Sequence, residues 1–264
     1  MKDNKLVLIS GSGRGVGASI ARSFVEKDYQ VAINFFQNEK QAKLLTKELG
    51  KTTSAFYADI RNKEDVVHMI KSINKKFGKS PEILVNNAMA DFLFNGDARS
   101  MVNDITYGEI LNHLDVSIKG SLNLIQEVIP QMEQKNFGRI INIGTNLFHN
   151  PVVPYHDYVI AKAALLGLTR TFAKDLGPKG ITVNMVSGGL LKITDASAAT
   201  PEEVFDIVAS MTPLQKVTTT KDFSDAITFF ASNDSRAITG QNLTVDGGPV
   251  SYTHLTLPTT EYVW

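Results

Sequence analysis

A glycine-rich run, Gly11-Ser12-Gly13-Arg14-Gly15-Val16-Gly17, follows the short apolar stretch Leu6-Val7-Leu8-Ile9 and opens a segment of helical period from about Val16 to Lys27. Glycines let the backbone turn tightly and let a ligand come close to the amides. A helix N-terminus adds free N–H groups and the positive end of the helix dipole. Strand, glycine turn and helix in that order make a ready site for a pyrophosphate and direct the chain towards an open α/β sheet. No Gly-Lys-Ser/Thr follows, so the loop is not a P-loop.

The rest of the sequence continues the alternation. Short apolar runs at Val31–Phe36, Thr53–Tyr57, Ile83–Val85, Arg139–Ile143, Thr182–Val186 and Asn242–Val245 read as strands. Stretches of helical period at Glu39–Leu49, Lys63–Phe77, Thr106–Gln134, Tyr158–Leu176 and Lys221–Ala231 separate most of them. Such strands suit a parallel sheet buried between helix layers. The predicted fold is α/β, a single Rossmann-type doubly wound parallel sheet with helices on both faces. No linker or repeat divides the chain, so one domain is expected over residues 1–250. Two stretches, Met89–Asn103 and Gly188–Thr212, show no clear period; long connections after parallel strands are where such sheets hold ligands. Residues 251–264 follow no strand or helix logic. Ser251–Thr260 resembles the translation of a sequencing-adaptor read-through, so a non-native or disordered tail is expected, with an ordinary variable tail as the alternative.

Composition excludes several classes. Lys+Arg and Asp+Glu are both 27, and a general nucleic-acid or acidic-membrane binder would show a basic excess. With no Cys, disulfides, thiol catalysis and Cys-based metal sites are out, and the five His show no metal spacing. No metal, nucleic acid or membrane partner is expected. No apolar run is long enough for a signal or a membrane span, and a cytoplasmic location is expected.

The spacing of the loop, Gly11, three residues, Gly15, one residue, Gly17, differs from the common G-x-G-x-x-G fingerprint. Asp59 follows the third predicted strand, Asn86-Asn87-Ala88 the fourth, and Tyr158 and Lys162 form a Tyr-x-x-x-Lys pair. Asn184–Gly188 carries Ser187 where a proline is usual, and Asp246-Gly247-Gly248 closes the last strand. In this order, over residues 5 to 249, these motifs resemble the short-chain dehydrogenase/reductase family, and within it the 3-oxoacyl-(acyl-carrier-protein) reductase-like branch. The resemblance implies an oxidoreductase that moves a hydride from NADPH to the carbonyl of a small-molecule or acyl-thioester substrate. It also implies a cofactor site built from Gly11, Ser12, Arg14, Gly15, Val16, Gly17, Asn34, Phe35, Asp59, Ile60, Asn87, Ala88, Tyr158, Lys162, Ser187, Gly188 and Leu190. A homotetramer is implied as well, with Ile118, Leu122, Ile125, Val128, Leu165, Leu168 and Phe172 as candidates for the apolar faces of the pairing helices.

Tyr158 and Lys162 are four apart on a predicted helix and share a face. A phenol with a pKa of about 10 is a poor acid at neutral pH, and a nearby ammonium favours the phenolate. The resemblance makes Tyr158 the proton donor. It places Thr145, where the family has serine, on the substrate oxygen, and Ser117, where the family often has asparagine, near Lys162. These two departures keep a second reading open: a non-catalytic NADP-binding regulator or scaffold on the same fold. The second strand is followed by no acidic residue before Glu39, and Arg14 stands in the loop; both favour NADP(H) over NAD(H). The alternative has Glu39 reaching back to the ribose. Phe92, Phe94 and Phe148 are expected to line an apolar mouth.

Overall fold

A computed structural model describes residues 4–249 apart from 93, 193, 195 and 199. The tail expected from Ser251 to Trp264 lies outside the described residues. The elements run β1 (Leu6–Ile9), α1 (Gly15–Glu26), β2 (Gln30–Phe35), α2 (Glu39–Leu49), β3 (Thr53–Tyr57), α3 (Lys63–Phe77) and β4 (Ile83–Asn86). Then come α4 (Tyr107–Leu114), α5 (Ser121–Gln134), β5 (Gly138–Thr145), α6 (His156–Leu176), β6 (Ile181–Gly188), α7 (Glu202–Met211), α8 (Thr220–Ala231) and β7 (Asn242–Val245).

The strands form one sheet in the order β3-β2-β1-β4-β5-β6-β7, every pairing parallel. The order reverses between β1 and β4, the position where open α/β sheets carry a ligand crevice. Alternate side chains serve opposite faces. Leu6 and Leu8 pack with α3, α5 and α6 residues such as Ile73, Leu124 and Leu176. Val7 and Ile9 pack on the other face with Ile20, Phe24 and Phe223 of α1 and α8.

Local signals explain where several elements begin and end. Asn62 caps α3, its side chain accepting from the amides of Glu64 and Asp65, and Gly78 ends that helix in the left-handed region at φ 72°. Reciprocal capping boxes open α4 (Thr106 with Glu109) and α8 (Thr219 with Asp222).

Three expectations are corrected. The single helix predicted over Thr106–Gln134 is α4 and α5 joined by a π-helical turn, Asp115–Gly120. A π-turn inserts extra chain without a polar break, so apolar periodicity runs on across it. Inside the aperiodic stretch lies α7, whose only buried residue is Phe205. Val204, Ile207 and Met211 are exposed there, so no core-facing stripe betrays the helix. Finally, Ile125, Val128 and Leu165 are buried in the core of the chain itself and are not available to pair helices between subunits. Among the described residues no helix is long and apolar enough to cross a membrane.

Candidate active site

A cleft opens at the carboxyl ends of β1, β2, β4, β5 and β6. Its walls include Gly11, Arg14, Gly15, Val16, Gly17, Asn34, Phe35, Asp59, Ile60, Asn87, Ala88, Tyr158, Lys162 and Gly188. Side-chain bonds hold the glycine loop from both sides. Asn34 on β2 accepts from the Gly11 amide at 3.1 Å, and its Nδ2 donates to the Ala58 carbonyl at 3.1 Å. The Asn87 amide nitrogen donates to the carbonyls of Ser10 and Gly11, and the Ser10 hydroxyl accepts from the amides of Asn87 and Ala88.

The fit of this loop to a dinucleotide can be tested on its packing. A Cβ on Gly17 would stand 2.6 Å from the Ser12 Cα and 2.7 Å from the Asn87 Nδ2. A Cβ on Gly11, at φ +59°, would lie 2.9 Å from the Ala88 Cα. Backbone therefore approaches backbone more closely than any side chain allows, and α1 begins with no side-chain cap on its first amides. Those amides and the helix dipole suit a pyrophosphate, and the residues present fit the group.

Beyond β2 the cleft is walled by Phe36, Gln37 and Asn38, with no carboxylate among them. Glu39 does not reach back: it pairs with Lys43 one turn along α2, at 2.6 Å. Asp59 is held by Arg61, whose guanidinium donates to both carboxylate oxygens at 2.8–3.1 Å. These bonds keep the Asp59 carboxyl below its ordinary pKa. Arg61 also lines the cleft and lies over the Phe36 ring at 5.5 Å. The sequence reading missed it; the signal was a cation two residues after Asp59.

At the other end stand Tyr158 and Lys162 on α6. Both are nearly inaccessible, at 7% and 2% exposure. The Lys162 ammonium donates to the Ile143 carbonyl of β5 at 2.7 Å and sits 5.7 Å from the centre of the Tyr158 ring. Burial pulls the Lys162 pKa down to about 8. Burial pushes the Tyr158 pKa up to about 12, opposed by a hydrogen bond with Thr145. The phenol is thus held more firmly neutral than in water, opposite to the direction expected of an ammonium alongside. Desolvation of the phenol is the largest influence, and the Thr145 hydrogen bond offsets only part of it.

Thr145 ends β5, and its hydroxyl accepts from the Leu147 amide at 3.3 Å. Ser117 is buried in the π-helical turn, beside Val116, which does line the cleft. Five predicted cofactor or catalytic residues, Thr145 among them, do not line the cleft. Ser12 is fully buried and donates to the Ile9 carbonyl at 2.7 Å. Ser187 donates to Asn242 at 2.6 Å. Leu190 and Ser117 are not among the cleft-lining residues. Phe92 and Phe94 line the cleft as expected, whereas Phe148 packs on His149 instead.

Two further residues escaped the sequence reading. Tyr155, at the entry to α6, accepts from the Gly96 amide at 2.9 Å and anchors the segment after β4. His113, the one buried residue of α4, has its Nε2 3.4 Å from an Asp157 carboxylate oxygen. Burial lowers the His113 pKa, the Asp157 charge raises it and the Lys162 charge lowers it.

Comparison with known proteins agrees with this geometry. A family model described as Enoyl-(Acyl carrier protein) reductase matches residues 11–249. The chain is 33% identical to the 3-oxoacyl-[acyl-carrier-protein] reductase FabG of Staphylococcus epidermidis over 252 residues, 93% of this chain and 98% of that protein. It is 30% identical to the FabG of Haemophilus influenzae over 245 residues, 92% and 97% of the two chains. A solved 3-oxoacyl-[acyl-carrier protein] reductase from Brucella melitensis superposes with a TM-score of 0.82 at 27% identity, covering 92% of this chain and 90% of that one.

Proposed function

The chain belongs to the short-chain dehydrogenase/reductase family, and on that footing we propose that this oxidoreductase reduces a substrate carbonyl to an alcohol with NADPH. The observation that carries the reading is the pair Tyr158 and Lys162 at one end of a cleft whose other end is a glycine cradle, with Thr145 hydrogen-bonded to Tyr158. A bound nicotinamide supplies the hydride to the carbonyl carbon. Tyr158 supplies the proton to the oxygen, so that the C=O becomes CH–OH and the phenol is left to be reprotonated from solvent. A phenol held neutral up to about pH 12 keeps its proton until the oxygen becomes basic enough to take it. Thr145 hydrogen-bonds that oxygen as charge develops on it. Lys162, tied to the Ile143 carbonyl, stabilises the phenolate left behind and is placed to hold the ribose.

NADPH is favoured over NADH by Arg14 and Arg61 in the cleft, by the absence of a carboxylate among Phe36, Gln37 and Asn38, and by the engagement of Glu39 with Lys43. The relatives' names point to 3-oxoacyl thioesters on a carrier protein as the first substrates to try. The description of the matching family model adds 2-enoyl thioesters as the second. Assembly as a homotetramer, if formed through α5 and α6, uses partly exposed residues such as Leu122, Leu168 and Phe172 and not Ile125, Val128 or Leu165. The test is NADPH oxidation against 3-oxoacyl thioesters, 2-enoyl thioesters and simple ketones, with the product identified. A hydroxyl product supports the reading. Tight NADPH binding with no reduction of any carbonyl compound favours the regulator instead.

A further inference from the structure

The Phe92 ring lies flat on Tyr158, with centroids 4.5 Å apart and planes 13° from parallel. Three other rings meet it edge-on: Phe94 at 5.0 Å and 88°, Tyr155 at 5.0 Å and 80°, and His113 at 5.7 Å and 86°. One flat face and three edges form a box shaped for a single planar ring. Its walls are unequal in kind. Tyr158 on α6 and His113 on α4 are buried, as is Tyr155, which immediately precedes α6. Phe92 is only partly buried, lines the cleft, and belongs to an irregular segment with no strand or helix to hold it. That segment is pinned beyond Phe92, where the Phe94 amide donates to the Ala196 carbonyl and the Gly96 amide to the Tyr155 hydroxyl.

A substrate carbonyl must come within hydrogen-bond reach of the Tyr158 hydroxyl, and Phe92 covers that phenol. We infer that the box plugged by Phe92 is the substrate's own ring site, and that this enzyme takes carbonyl compounds whose carbonyl is conjugated to a planar ring, as in an aryl ketone. Such a ring exchanges with Phe92, keeping the stacked face and the three edges. A saturated chain displaces the same ring and recovers none of those contacts.

The inference rests on the carbonyl-reductase reading, and its test separates the two. Binding of acetophenone and of 2-octanone, which have the same number of carbons, is measured by calorimetry with the full chain and with Phe92→Ala, without turnover. Phe92→Ala is expected to bind acetophenone at least tenfold more tightly than the parent, and more tightly than it binds 2-octanone. Phe92→Leu serves as a milder variant with an intermediate gain if the alanine form folds poorly. Equal affinity of the two ketones in either variant overturns the ring site. So does a variant that folds and gains nothing. Tyrosinate absorbance gives an independent readout: Phe92→Ala should bring one phenol's titration down from about pH 12, and adding Tyr158→Phe should remove that signal. If no phenol shifts, Phe92 is not what covers Tyr158. Selective ring binding by a protein that reduces nothing keeps the site and sinks the reductase reading; reduction without ring selectivity does the reverse.

Discussion

At the glycine-loop end of the cleft the walls are mostly backbone, held by Asn34 and Asn87 at distances a side chain would violate. At the Tyr158 end they are aromatic side chains, two of them, Phe92 and Phe94, carried by an irregular segment after β4. The first construction tolerates little change, because backbone cannot repack around a new atom. The second tolerates exchange, since one ring can replace another of similar shape. A cofactor common to a whole family suits the rigid end, and a substrate that differs among members suits the adaptable one.

The largest effect on cofactor binding is expected from forcing an atom into the rigid end. Gly17→Ala places its Cβ 2.6 Å from the Ser12 Cα. Overpacking of this kind costs about 1–3 kcal/mol, so NADPH affinity by fluorescence titration should fall roughly tenfold to a hundredfold. Unchanged affinity would mean that the loop yields and the contrast between the ends is false. Next is Arg14→Ala. NADPH should bind the parent at least about tenfold more tightly than NADH, in line with one charge-assisted phosphate contact. The variant should lose most of that difference while binding NADH as before. A parent with equal affinity for both cofactors contradicts the assignment.

The smallest effect is on stability, at the Tyr158 end. The folded-state pKa of Lys162, about 8, lies below its ordinary 10.5. The unfolded chain therefore holds more protons between those values, and stability contributed by this group rises with pH across that window. Well below pH 8 the cost of burying the ammonium is present in full, about 3 kcal/mol. Lys162→Met should thus melt roughly 5 °C higher at pH 7, with the gap closing above about pH 10. A lower melting point at pH 7 would show that the Ile143 hydrogen bond outweighs desolvation.

What could be read in the sequence follows the same division. The strands, the loop and the Tyr158–Lys162 pair were legible, because glycine placement, strand alternation and an i,i+4 spacing are local signals. The element ends moved by a residue or two, as where β5 continues to Thr145 and β6 to Gly188. The π-turn holding Ser117 was hidden, since it changes the helix without changing its composition. Helix α7 was missed although Pro201, Glu202 and Glu203 are start signals. Its exposed Val204, Ile207 and Met211 gave no buried stripe to confirm them. The stacking of Phe92 on Tyr158 and the Arg61–Asp59 fork depend on where loops meet helices, which no local pattern encodes. The direction of the Tyr158 pKa was misjudged for the same reason: burial is a property of the fold.

In this reading cofactor binding and chemistry reside at separate ends of one cleft. Tyr158→Phe tests it most directly, because it keeps the ring and its packing and removes only the hydroxyl. NADPH affinity and the rate of carbonyl reduction are measured on the same preparation. General acid catalysis is typically worth about 10²–10⁴-fold, so the rate should drop by at least a hundredfold while NADPH affinity stays within about threefold. Reduction at the parent rate, or loss of NADPH binding together with the rate, would contradict the account.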